Sequence, residues 1–176
     1  MSFLPDNYET PQGGTGSYMK LQTGDNKFRI LSRPVIGWID WVDKKPHRFP
    51  YKQKPAKPSG DQPIRHFWAM AVYDYADKQV KILEITQATI QKAIESLAKD
   101  EEWGSPGAYD IKITKTGQDK STEYNLNPSP KKDLTQEIKD AAKAKPMNLE
   151  ALLRNNDPFD VSNGEQTQLI FEEMPF

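Results

Sequence analysis

Between Asp43 and Ile64 the chain places Pro46, Pro50, Pro55, Pro58, Pro63 and Gly60. Proline removes a backbone donor and fixes φ, so such a run excludes a helix or a central strand and predicts a long connection. The segments around it alternate apolar and polar residues with the period of two that strands require. Lys27 to Val42 is rich in Ile, Val, Phe and Trp, and Pro34 and Gly37 interrupt it, which predicts one long strand that bends or bulges. His66 to Tyr75 and Gln79 to Ile85 read as two strands joined by the polar turn Ala76-Asp77-Lys78. Ile90, Ala93, Ile94, Leu97 and Ala98 recur at helical spacing, with Thr86 placed to cap the helix. Tyr109 to Lys115 and Thr122 to Asn127 form two more alternating strands around the turn Gly117 to Lys120.

The order is therefore three strands, a helix and two strands. This is the connectivity of an OB-fold, a five-stranded Greek-key barrel with its helix between the third and fourth strands. The alternative is an open five-stranded α+β sheet. Mainly-β architecture is expected either way. The expected organisation is an N-terminal arm over 1–26, an OB-type domain over 27–130, a helical extension over 131–154 and a flexible acidic tail over 155–176. The arm carries Pro5, Pro11 and Gly13-Gly14-Thr15-Gly16 and little periodicity. In the extension, Leu134 to Lys145 is an Ala- and Lys-rich helix candidate and Asn148 to Arg154 a further turn or two. With apolar residues at 36% and a mean hydropathy of -0.81, a modest core is expected, with much of the chain in loops or tails.

The formal net charge of -1 averages two opposed regions. Lys44, Lys45, Arg48, Lys52, Lys54, Lys57 and Arg65 face a single acid, Asp61, between Lys44 and His66. Glu150, Asp157, Asp160, Glu165, Glu172 and Glu173 face a single base, Arg154, between Glu150 and the C-terminus. The basic stretch also carries Phe49 and Tyr51. Unpaired nucleic acid calls for both kinds of group, cations for phosphates and flat rings for bases. On an OB-fold this connection flanks the binding face, which favours DNA contact over a merely solvated basic loop.

Arg33, Trp38, Phe67, Tyr73, Tyr75 and Lys115 complete the expected DNA-binding set. Alternation puts Phe67, Ala69, Ala71, Tyr73 and Tyr75 on one side of their strand. If that side lines a groove, the alanines leave room for bases and the rings stack on them. Trp68, with Met70 and Val72, is then expected to be buried; the competing reading for each ring is packing beneath a loop.

Other chemistries find little support. There is no cysteine, so no disulfide and no thiolate metal site. His47 and His66 have no carboxylate cluster beside them, so neither a metal nor another cofactor is expected. No nucleophile elbow or phosphate-binding loop is present, and Asp74, Asp77 and Glu84 make a poor nuclease set because Asp77 falls in a turn. A non-enzymatic role is expected. The apolar runs are far short of the roughly 20 residues that span a bilayer, and Met1 to Asp6 lacks a signal-peptide pattern, so the expected location is cytoplasmic.

The chain ends on Ile170-Phe171-Glu172-Glu173-Met174-Pro175-Phe176. An acidic arm tipped by a ring and a carboxylate suits a basic-rimmed apolar pocket on a partner. Glu172, Glu173, Met174, Pro175 and Phe176 resemble the Asp-Asp-Ile-Pro-Phe ending of bacterial single-stranded DNA-binding proteins, with Met174 where Ile is usual. The strings KFRILSRPVIGWIDW, FWAMAVYDY, KILEITQATIQKAIESL and EEWGSPGAYDIKITKTG resemble a family of phage and prophage single-stranded DNA-binding or replication proteins, over roughly residues 20 to 130. The resemblance implies a protein that coats single-stranded DNA during replication and recombination in the host cytoplasm. It also implies that replication or recombination proteins dock on the tip. A strand-annealing protein and a protein-binding adaptor are the rival readings, and the sequence specifies no oligomeric state.

Overall fold

The computed structural model describes Phe3 and residues 17–172, so most of the expected arm and the tip Glu173 to Phe176 lie outside the described residues. The described chain is mainly β, a seven-stranded antiparallel sheet with two α-helices. The strands are β1 (Gly24–Ile30), β2 (Val35–Val42), β3 (Lys45–Pro50), β4 (Arg65–Asp74), β5 (Gln79–Ile85), β6 (Asp110–Thr116) and β7 (Glu123–Pro128). The helices are α1 (Ala88–Lys99) and α2 (Gln136–Ala144).

Seven strands replace the expected five for two physical reasons. The long strand breaks at 31–34, where Pro34 has no donor to offer the ladder. Both pieces nevertheless run along one edge of β4, with Phe28 to Ile30 opposite Asp74 to Val72 and Val35 to Ile39 opposite Ala69 to Arg65. At the break Ala71 is satisfied on both sides: its N–H donates to the Ser32 hydroxyl (2.9 Å) and its carbonyl accepts from Leu31 (2.8 Å). Gly37 is not the bend. It sits within β2, where a Cβ would come 2.3 Å from the Phe49 carbonyl oxygen and 3.0 Å from the Phe67 ring.

The second addition is β3, inside the connection expected to lack regular structure. Asp43 and Lys44 have positive φ (52° and 65°) and form a two-residue turn that folds β3 back on β2. In this register Pro46, Arg48 and Pro50 turn their backbone nitrogens away from β2, so the prolines cost no ladder bond at this edge. The one outward N–H among them, that of Arg48, donates to Asn155 Oδ1 (2.8 Å), and Asn155 Nδ2 donates back to the Arg48 carbonyl (3.3 Å).

The sheet has a core on each face. On one, Phe28, Ile30, Met70, Val72, Leu83, Ile85, Ile111 and Ile113 pack with Ile90 and Ile94 of α1. Thr86 does not cap that helix. The cap position is Gln87, which makes no side-chain capping bond, and the helix is fixed instead by packing and by Gln91 Nε2 donating to the Ile85 carbonyl (2.9 Å). On the other face, Val35, Ile39, Phe67, Ala69, Ala71, Tyr73, Val80 and Ile82 are covered by Ile138 and Ala142 of α2 and by Met147, Leu149 and Leu152. Burying each large apolar side chain contributes about 1.5–3 kcal/mol, which explains why this extension packs down.

The stretch 155–172, expected to be flexible, continues that cover. Phe159, Leu169 and Phe171 pack against the second core. Thr167 donates to the Met147 carbonyl (2.7 Å) and Ile170 to the Leu31 carbonyl (2.7 Å). Two of its acids shape local turns: Asp157 accepts from Phe159 N (2.9 Å) and Asp160 from Ser162 N (3.0 Å). Their polarity reads as disorder in sequence but serves the backbone here.

Neither β5 nor β7 pairs with the other. The free edge of β5 is taken by the chain before β1, through Met19 N to the Ile82 carbonyl (2.8 Å) and Ile82 N to the Ser17 carbonyl (2.9 Å). Among the described residues no helix is long and apolar enough to cross a membrane.

Candidate nucleic-acid interface

The hairpin of β2 and β3 organises the candidate surfaces. Its tight turn leaves Lys44 and Lys45 exposed at the tip, and alternation along β2 sends Trp38 and Trp41 to opposite faces.

On the face of Trp41 lies a groove of about 640 Å³. It is lined by Trp41, Pro46 and Arg48 of the hairpin, by Tyr18 to Leu21, by Glu84, and by Lys115 and Tyr124. Arg48 Nε donates to Glu84 Oε2 (2.8 Å), and its guanidinium lies 5.7 Å from the Phe67 ring centre. The groove's one acid is thus already neutralised by one of its cations. Lys20 and Lys115 have no acidic partner among the described residues. Three rings, Tyr18, Trp41 and Tyr124, share the groove with these cations. Burial raises the Tyr18 phenol above its ordinary value, against the lowering effect of Arg48, so it stays neutral, and its ring packs edge-on against Phe159 at 6.4 Å between centres.

On the opposite face the rings of Trp38, Tyr51 and His66 form a compact cluster. Trp38 and Tyr51 stack at 5.7 Å between centres with a 15° interplanar angle, and His66 lies 5.0 Å from Trp38 and 5.3 Å from Tyr51. Lys54 Nζ sits 4.3 Å from the Trp38 ring centre. Trp38 Nε1 donates to the Tyr51 carbonyl (2.8 Å), and His66 Nδ1 lies 2.8 Å from the Gly37 carbonyl oxygen. Tyr51 remains 52% exposed. A third concavity, about 1050 Å³ and lined by Trp41, Lys44, Gly60, Asp61 and Arg65 among others, lies at the hairpin tip.

Several expected contacts are corrected by this arrangement. Phe67 is fully buried and Tyr73 nearly so, because their side of β4 is the one covered by the C-terminal extension. The small Ala69 and Ala71 admit that cover rather than bases. Trp68, expected to be buried, is partly buried and packs against the first core opposite Ile36 of β2. Tyr75 is committed to structure: its hydroxyl donates to Asp110 Oδ1 (2.6 Å), and burial followed by that bond pushes its pKa well above the ordinary phenol value. Arg48 is committed to Glu84 but still walls the groove.

The remaining expected residues are distributed over the surface. Lys52, Lys54 and Lys57 are exposed along the connection after β3, Arg65 is exposed at the start of β4, and Phe49 is half-buried opposite Trp38. Arg33 is exposed in the break between β1 and β2 and lines none of the three surfaces. Of the expected tail contact, Glu172 is exposed in a short 3-10 turn, and Glu173, Met174, Pro175 and Phe176 lie outside the described residues.

The sequence reading missed Tyr18 and Lys20, which it assigned to an extended arm. Tyr18-Met19-Lys20-Leu21 carries the relevant signal: apolar Met19 and Leu21 alternate with Lys20, and Met19 is buried. Trp41 and Tyr124 fall within the expected strands Lys27 to Val42 and Thr122 to Asn127, and alternation within either strand does not bring the two rings to one groove. In comparisons with known proteins, no family model, no curated protein and no solved structure matches this chain.

Proposed function

We propose that this chain binds and coats single-stranded DNA without breaking any bond. In this reading the sheet, whose β5 and β7 do not pair with each other, is an open variant of the OB type. The bent path of β1 and β2 serves as its first strand, β4 and β5 as the next two, β6 and β7 as the last two, with α1 between. The antiparallel pairing of β1 with both β4 and β6 supports that correspondence. The hairpin tip and β3 are then an elaboration of the connection between the first and second strands.

The observation that carries the reading is the groove of Tyr18, Trp41 and Tyr124, rimmed by Lys20, Arg48 and Lys115. Rings offer stacking surfaces to any base, and cations release counterions from phosphates, so the combination binds unpaired strands with little sequence preference. Duplex melts by mass action when only single strands bind. The acidic tip Glu172 to Phe176 serves in the same reading as a docking arm for replication or recombination proteins.

The test is tryptophan fluorescence quenching by an unstructured oligonucleotide across a salt series, set against duplex and against a variant lacking the last seven residues. Tight, salt-sensitive binding to single strands, kept or increased without the tail, is expected. Equal binding to duplex would overturn the groove assignment, and no salt-sensitive binding would favour a protein-binding adaptor.

A further inference from the structure

We infer that the ring cluster of Trp38, Tyr51 and His66 is a second base-stacking subsite, reached by a strand that leaves the groove at Trp41 and passes around the hairpin tip. This inference rests on the single-strand reading of the groove and extends it to a track.

Three observations carry it. The first is continuity. Trp41 lines both the groove and the tip cleft, Arg65 lines the tip cleft, and His66, next in the chain, belongs to the ring cluster. The track is therefore bordered from one face of the hairpin to the other by Trp41, Lys44, Arg65 and then the rings. Asp43 and Asp61 also border the tip cleft, so the phosphate path there follows its Lys44 and Arg65 side.

The second is preorganisation. Backbone hydrogen bonds hold Trp38 and His66, and stacking on Trp38 aligns Tyr51, so these rings lose little freedom when a base arrives. A tight apolar core would bury such a cluster, yet Tyr51 is 52% exposed and Ile36, in the same strand as Trp38, is 39% exposed. The third is charge. Lys54 lies against Trp38, and Lys52 and Lys57 are exposed on the same connection, so cations accompany the rings as they do in the groove.

A track of two subsites makes binding depend on strand length in a way one site does not. Labelled oligothymidylates of about 6 and about 16 nucleotides, within the roughly 4–16 nucleotide range of single OB folds, are titrated by anisotropy against the full chain, Y51A, Y51F and Y124A. Tyr51 is exposed, so Y51A leaves the fold intact, and circular dichroism checks this. The expected result is that Y51A weakens the longer strand by about 5- to 150-fold, the range of one lost stack. It leaves the shorter strand unchanged, Y51F restores the loss, and Y124A weakens both lengths. Unchanged binding of both lengths by Y51A would make the cluster a purely structural packing of rings. Equal loss at both lengths would make it the primary site and remove the track. Failure of the unaltered protein to bind either length would overturn the single-strand reading itself, a result separable from the other two.

Discussion

Two parts of one sheet face meet opposite fates. Toward the middle of β4 and β5, Phe67, Ala69, Ala71 and Tyr73 lie beneath α2 and the segment that follows it. Toward the hairpin the same face carries Trp41, Arg48 and Glu84 and stays open as a groove. The covered part has apolar or small side chains that another apolar surface can meet without stranding a polar group. The open part has an ion pair and half-buried rings, which a hydrocarbon cover would desolvate at a cost. An open surface survives where the chain's own extension has nothing to gain by covering it.

The largest effect that separates the two parts is expected at Phe67. Phe67→Ala empties a fully buried ring site and should cost about 3–5 kcal/mol of stability, read by chemical denaturation. DNA affinity of the folded protein should stay within about twofold, and a selective loss of affinity would return Phe67 to the binding surface.

Acid should act on the packed side through Asp110. Burial pushes the Asp110 carboxyl up, but hydrogen bonds from Tyr75 and Lys132 and the charges of Lys132 and Lys27 outweigh it and hold the carboxyl below its ordinary value. A group whose pKa is lower in the folded chain contributes stability that is full above its unfolded value, about 3.9, and is lost as pH falls through the folded value. Stability should therefore fall below about pH 4, and Asp110→Asn should flatten that part of the profile. Identical acid limbs in the two proteins would remove Asp110 from the explanation.

Trp41→Leu keeps apolar bulk while removing the stacking ring. Single-strand binding should weaken by about 1–3 kcal/mol, with a smaller loss of stability than Phe67→Ala, measured by anisotropy and denaturation on the same preparation. A stability loss with unchanged affinity would place Trp41 with the covered part of the face. The smallest effect is expected from Lys115→Ala, which should lower the salt dependence of binding by about 0.7 in the logarithmic slope, the value for one single-strand phosphate contact. An unchanged slope would take Lys115 off the phosphate path.

Much of the fold is legible in the residues. Period-two patterns placed β4, β5, β6 and β7 and the bend near Pro34, and the stripe of Ile90, Ile94 and Leu97 placed α1. The turn chemistry of Asp43 and Lys44 was less legible, because prolines on both sides signal a loop unless the partner strand shows which backbone nitrogens need no acceptor. The side of β4 was misread for a related reason. Alternation sorts Phe67, Ala69, Ala71 and Tyr73 from Trp68, Met70 and Val72, but both sets are apolar enough to be buried, and both are needed for a sheet with a core on each face.

What the sequence by itself determined is local: the strand periods, the helix stripes, the breakers, and the separation of a basic, ring-bearing stretch from an acidic end. These follow from backbone sterics and side-chain alternation, which act over a few residues. Only the tertiary structure decided which rings are available. The cover over Phe67 and Tyr73 comes from residues some 60 or more positions away in the chain, and the groove joins Tyr18, Trp41, Lys115 and Tyr124 from four separate segments. Which of two apolar faces is covered depends on such distant pairings, and alternation within β4 does not distinguish them.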